Sequence, residues 1–295
     1  MPAVSLPSSI PSDPSSPAPA PAHVGGDASA PVPAACGNRF DRIDAWRGLA
    51  IVWMALFHFS FDLNLYGWIE PRQVFHLDPF WTGQRTAIVS MFLLGAGAGQ
   101  AVALSAGQSW PRFWRRWAQV AAGAALVSAG SALMFPRSWI SFGVLHGMAV
   151  MLLLLRGLGQ GLGLGRSSAG PSLPSWRVLA GLLGLAALML WLPRHASHPV
   201  FDSRWLNGTG LVTHLPFTED YVPVTPWLGV MLIGFVATNW ALAHRRAWLA
   251  GPVPGLLKPV AVLGRWSLSF YLVHQPVLIG LVLAAGALTG HGVLR

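Results

Sequence analysis

The chain has 295 residues, 53% hydrophobic and only 10% charged, with 15 Trp and a mean hydropathy of +0.51. A soluble domain carries about 25% charged residues, so this balance excludes an ordinary soluble enzyme and indicates a membrane protein. The net charge of +9 comes from Arg residues scattered between apolar runs, which excludes the basic face of a nucleic-acid-binding module, and the single Cys36 excludes a disulfide framework or a cysteine metal site.

Residues 1–38 are rich in Pro, Ala and Ser and hold no apolar run. Such a composition cannot bury a core, so a disordered tail is expected, with 39–295 forming one integral-membrane domain. Seven apolar runs follow, at 45–65, 84–105, 114–135, 140–157, 176–193, 226–243 and 261–288. Each is close to the roughly 20 residues that a spanning helix needs. The expected fold class is therefore all-α, a polytopic bundle of seven transmembrane helices. Gly95, Gly97 and Gly99 stud the second run, as close helix packing in lipid requires. Pro276 interrupts the last, where a kink or unwound turn is expected.

The connections set orientation. The side holding the N-terminus collects 13 Arg and Lys residues and the other side 6, so the N-terminus is expected in the cytoplasm and the C-terminus outside. On that orientation the outer loops span 66–83 and 194–225. His195, His198 and His214 in the second of these read as solvated loop residues.

The first run, RIDAWRGLAIVWMALFHFSFDLN over 42–64, carries the most chemistry. A helix sets Arg47 and His58 roughly 16 Å apart. Asp62 lies one turn beyond His58 on the same face, so the two can touch. Ionisable groups inside a spanning helix are costly and mark functional sites. His146 in the fourth run and Asp220, with the segment Tyr221–Trp227, at the mouth of the sixth fall at a similar depth; His274 in the last run can approach from below. A His with a carboxylate one turn away is a general base whose imidazolium the acid stabilises. No G-x-S-x-G nucleophile and no H-E-x-x-H zinc helix is present, and no metal is expected. Buried His and Asp residues also suit a proton-coupled transporter of small molecules or lipid-linked sugars, although no internal repeat accompanies them.

The string Arg42-Ile43-Asp44-Ala45-Trp46-Arg47-Gly48-Leu49-Ala50-Ile51, with His58 and Phe61-Asp62-Leu63-Asn64, resembles the opening of the heparan-α-glucosaminide N-acetyltransferase catalytic-domain family of the transmembrane acyltransferase superfamily. Three further strings agree: Phe142–His146 (FGVLH), Asp220–Trp227 (DYVPVTPW) and Gly264–Pro276 (GRWSLSFYLVHQP). The resemblance covers about 39–280. It implies a bacterial plasma-membrane (inner-membrane) acyltransferase that moves an acyl group, normally acetyl, from cytoplasmic acetyl-CoA or another acyl-CoA to an extracytoplasmic sugar or glycan. The Arg47–His58 spacing resembles the Arg–His signature of the superfamily. On this reading His58, Asp62 and His146 are catalytic, Arg47 meets the acyl donor, and Asp220, Trp227 and His274 bind the acceptor. In the animal lysosomal members the working His lies in the following loop, where His76 is the His present here, so His76 is the alternative base. Arg115 with Arg116, or Arg245 with Arg246, are candidates for the donor's phosphates. Membrane lipids, acyl-CoA and the sugar acceptor are the implied partners, and a homodimer is compatible with the sequence.

Overall fold

Seven helices are long and apolar enough to cross a membrane, matching the seven runs. The structure is a computed structural model that describes residues 40–167, 170–172 and 174–290; the expected tail lies outside these. The spanning helices are α1 (Asp41–Leu65), α2 (Pro79–Ser105), α3 (Trp110–Met134), α4 (Val144–Gly161), α5 (Trp176–Trp191), α6 (Val224–His244) and α9 (Ser267–Thr289). Two short helices, α7 (Arg246–Ala250) and α8 (Lys258–Arg265), lie between α6 and α9. Among the described residues the only strands are β1 (Gly165–Ser167) and β2 (Gly170–Ser172), an antiparallel pair in the α4–α5 connection. The architecture is an all-α bundle.

Two boundaries differ from the sequence expectation. α2 begins at Pro79 rather than near 84, because the Asp78 carboxylate accepts the Phe80 N–H at 2.8 Å and Pro79 suits the first helical turn. The last run breaks at Trp266 rather than Pro276: α8 ends there, and α9 continues through Pro276. Close docking of α8 on α1 accounts for the break. A Cβ at Gly264 would strike the Asp44 backbone, and one at Gly48 would strike Val260. Arg265 then bonds Asp41 at 2.9 Å, which fixes the turn.

The core is organised around α2 and α6. Gly97 of α2 faces the backbone of Met231 and Phe235, while Gly234 of α6 faces the backbone of Leu94. These reciprocal notches let the two helices approach more closely than any larger residue permits. Leu93, Met231, Leu232 and Phe235 fill the joint and are fully buried. Aromatic side chains dock α1 on α2: Trp46 Nε1 donates to the Met91 carbonyl at 2.9 Å and Trp53 Nε1 to Gln84 Oε1 at 3.0 Å.

Candidate active site

His58 of α1 and His274 of α9 meet with Nδ1 of the first 2.8 Å from Nε2 of the second. His274 Nδ1 lies 2.7 Å from the Tyr271 carbonyl oxygen, which can only accept. His274 therefore carries its proton on Nδ1 and offers a lone pair at Nε2. His58 must then donate from Nδ1, and its own Nε2 becomes a lone pair bonded to no described residue. The chain Tyr271 carbonyl, His274, His58 thus fixes one tautomer and leaves one basic nitrogen free. Phe270 lies against His274, with ring centroids 5.9 Å apart, and His274 is only 7% exposed.

Asp62 does not orient His58, contrary to the sequence reading. It is 0% exposed, and its Oδ1 accepts Gln275 Nε2 at 2.8 Å. Sharing a helix face was a correct inference, but α9 packs closely enough to supply each residue with a different partner. Oδ2 of Asp62 and Oε1 of Gln275 remain buried without a hydrogen bond. Beside this pair the α1–α2 connection folds over α1: Asn64 and Gln73 exchange two hydrogen bonds, at 2.7 and 3.0 Å. Phe75 then inserts among Phe57, Phe61 and Trp81. His76 is the next residue yet stays exposed, its ring 6.2 Å from Phe61.

His146 and Asp220 come together, but around a helix end. The backbone at 138–142 pairs with 219–222, and this places the Asp220 carboxylate 2.7 Å from the Val144 N–H at the start of α4. Burial raises the Asp220 pKa, opposed by the Val144 N–H and the nearby Arg85 and His146. His146 Nδ1 accepts the Gly143 N–H at 3.3 Å. Its Nε2 lies 3.0 Å from Ser128 Oγ, which itself donates to the Ile140 carbonyl at 2.7 Å. Both ring nitrogens are therefore occupied, Nδ1 at the start of α4 and Nε2 on Ser128 of α3. Trp227 packs against the large buried cluster. Of the residues read as one shared site, the structure joins His58, His274 and, one turn along, Asp62.

Arg47 reaches across to α2, donating to the Gly95 carbonyl at 3.2 Å and lying 3.7 Å from Asp44. Gly99 keeps the space that its guanidinium occupies. Arg115, Arg116, Arg245 and Arg246 are all exposed. Arg156, at the end of α4, is one of the cations counted on the N-terminal side from the sequence, yet it is 1% exposed. Its Nη2 donates to the Gln108 carbonyl at 2.5 Å, and its guanidinium lies 5.2 and 5.3 Å from the rings of Trp110 and Phe113. Its place at the end of the α4 run was the available signal, but a run end cannot tell a solvated Arg from one folded back under aromatic rings. Among the described residues no group of three or more His, Cys, Asp or Glu side chains is arranged to hold a metal ion.

No curated protein and no solved structure matches the chain. The family model for heparan-alpha-glucosaminide N-acetyltransferase, catalytic, matches residues 39–276, a span that runs from the start of α1 past the His58–His274 pair. The chain belongs to that family of membrane acetyltransferases.

Proposed function

We propose that the protein transfers an acetyl group from acetyl-CoA, bound at the end of the bundle where α1 begins, to a sugar acceptor that enters from the opposite end. The observation that carries this reading is the directed pair: His274 Nε2 accepts the hydrogen bond from His58 Nδ1–H and leaves His58 Nε2 as a base. A hydroxyl or amine of the acceptor attacks the thioester carbonyl while His58 Nε2 removes its proton. The C–S bond breaks as the tetrahedral intermediate collapses, and the imidazolium returns the proton to the departing thiolate. His274 does for His58 what the carboxylate does in a hydrolase triad, holding the ring and its tautomer. Arg47, set against the glycine face of α2, offers charge to the donor's phosphates, which a planar guanidinium suits. The arginine asymmetry supports a cytoplasmic donor and an extracytoplasmic acceptor.

The alternative of a proton-coupled transporter would use the same histidines as a relay; family membership favours acyl transfer. Purified protein supplied with labelled acetyl-CoA and a panel of amino sugars and glycans tests the proposal. Label is expected in an acceptor. Absence of transfer together with absence of acyl-CoA binding overturns it.

A further inference from the structure

Arg156 is 1% exposed, and the transfer chemistry makes no use of it. Of its donors, Nη2 is taken by the Gln108 carbonyl, while Nε and Nη1 are buried without a hydrogen-bond partner among the described residues. The Trp110 and Phe113 rings attract the guanidinium but bring no negative charge. No carboxylate is at hand on the neighbouring helices: the chain has no Asp or Glu between Asp78 and Asp202, a stretch that contains all of α2 to α5. The acids in the first turn of α1, Asp41 and Asp44, lie against Arg265 and Arg47. A buried charge is costly unless it is paired, so the counter-charge must come from outside these helices.

The position of Arg156 says what kind of anion fits. α1 begins at this end of the bundle, so α2 finishes there, α3 begins and α4 finishes. Trp110 opens α3, where Ser109 makes no side-chain capping bond and the first turn holds no acid. A helix start presents backbone N–H groups and a partial positive charge, an arrangement suited to phosphate. Arg112, Arg115 and Arg116 are exposed around it. Trp110 and Trp114 are 41% and 46% exposed, and only 17% of the spanning stretch of α3 is buried in the bundle. α3 therefore faces lipid, with two indoles at headgroup level.

We infer that Arg156 and the start of α3 bind the phosphate of an anionic phospholipid, in the leaflet on the side where α1 begins. The phosphate oxygens take the free guanidinium donors and a first-turn N–H of α3. Arg112 adds a second cation, which favours an anionic headgroup over a zwitterionic one. Trp110 is the cover, since its half-exposed ring lies over the guanidinium and opens the site by turning aside. The acyl chains then follow the exposed flank of α3. Arg47, held between α1 and the glycine face of α2, belongs to a different place.

The test uses full-length protein in phosphatidylcholine nanodiscs with a minor fraction of phosphatidylglycerol carrying a diazirine in its headgroup. Illumination should label the peptide holding Trp110–Arg116 or that holding Arg156. Excess phosphatidylglycerol should suppress this labelling, whereas excess phosphatidylcholine or acetyl-CoA should not. This measurement needs no variant, and it reads lipid binding whether or not acetyl groups are transferred. Arg156→Gln should reduce labelling by more than about tenfold, because charge-assisted bonds in a desolvated place are lost. Arg115→Gln should cost only the roughly fivefold expected of any surface cation. Asp13→Asn with Asp27→Asn should change nothing. Labelling confined to other peptides, suppression by phosphatidylcholine, or equal losses in Arg156→Gln and Arg115→Gln overturns the inference. Suppression by acetyl-CoA overturns it too, by giving the phosphate to the donor, as does a rise on removing the two tail acids, by giving the site to the tail.

Discussion

Two partly enclosed histidines, His58 and His146, occupy similar settings and are spent differently. His146 has a partner at each ring nitrogen, Gly143 N–H on one side and Ser128 Oγ on the other, so nothing remains for a substrate. His58 has a partner at Nδ1 alone. Burial and neighbouring charge do not separate a structural His from a reactive one; the count of nitrogens already committed does. A ring with both positions filled caps a helix. A ring held firmly at one position and free at the other is ready to move a proton.

Substitutions at the two rings should therefore diverge. His58→Ala is expected to lower turnover by about 10²–10⁴-fold while acetyl-CoA still binds, with folding checked by detergent gel filtration. A mild loss would return attention to His76. His274→Ala should cost about 10²-fold in kcat through misplacement of the His58 ring. His274→Gln, which can still accept the Nδ1 proton, should recover most of that loss, a rescue that a purely structural role for His274 would not give. His146→Ala should instead destabilise by about 1–3 kcal/mol, read as a lowered thermal midpoint, because it strands the Gly143 N–H. The folded fraction should then turn over at the normal rate.

The smallest effects belong to Asp220 and His76. Asp220→Asn keeps an oxygen for the Val144 N–H and loses only the charge at the start of α4, about 0.3–1 kcal/mol. Its sign should depend on pH. The folded-state pKa of Asp220 is raised, so the folded protein holds this proton more tightly than the unfolded chain does. Stability tied to it is present at low pH and declines as pH rises from the unfolded value through the folded one. Thermal midpoints measured across that range should fall less steeply in Asp220→Asn than in the parent. His76→Ala should leave turnover nearly unchanged, as its exposure suggests.

Legibility from sequence followed the range of the interaction. The seven spans were readable because length and apolarity are local properties, and α5 reaches a spanning length by adding a 3-10 turn at Leu192–Arg194. His58 and Asp62 were found from spacing within one helix. Their partners were not, because His274 and Gln275 lie more than 200 positions away and the register of α9 against α1 decides which one each residue meets. Asp220 and His146 were rightly placed together, but an acid beside a His looks alike in sequence whether it serves a reaction or the first turn of a helix. Arg156 went unmarked for a related reason: the Trp110 and Phe113 rings that cover it belong to another helix.

The interlock of Gly97 and Gly234 makes α2 and α6 a fulcrum. A single methyl at either position meets the opposite backbone and can be accommodated only by parting the helices. α2 also bears the Gly95 carbonyl and the Gln84 amide that hold Arg47 and Trp53 of α1. Displacing it would swing the far arm of α1, on which His58 rides against a separate helix. Gly97→Ala, far along the chain from either histidine, would thus act as a lever on the His58–His274 distance, so variation at this inert-looking position is policed by the geometry of proton transfer.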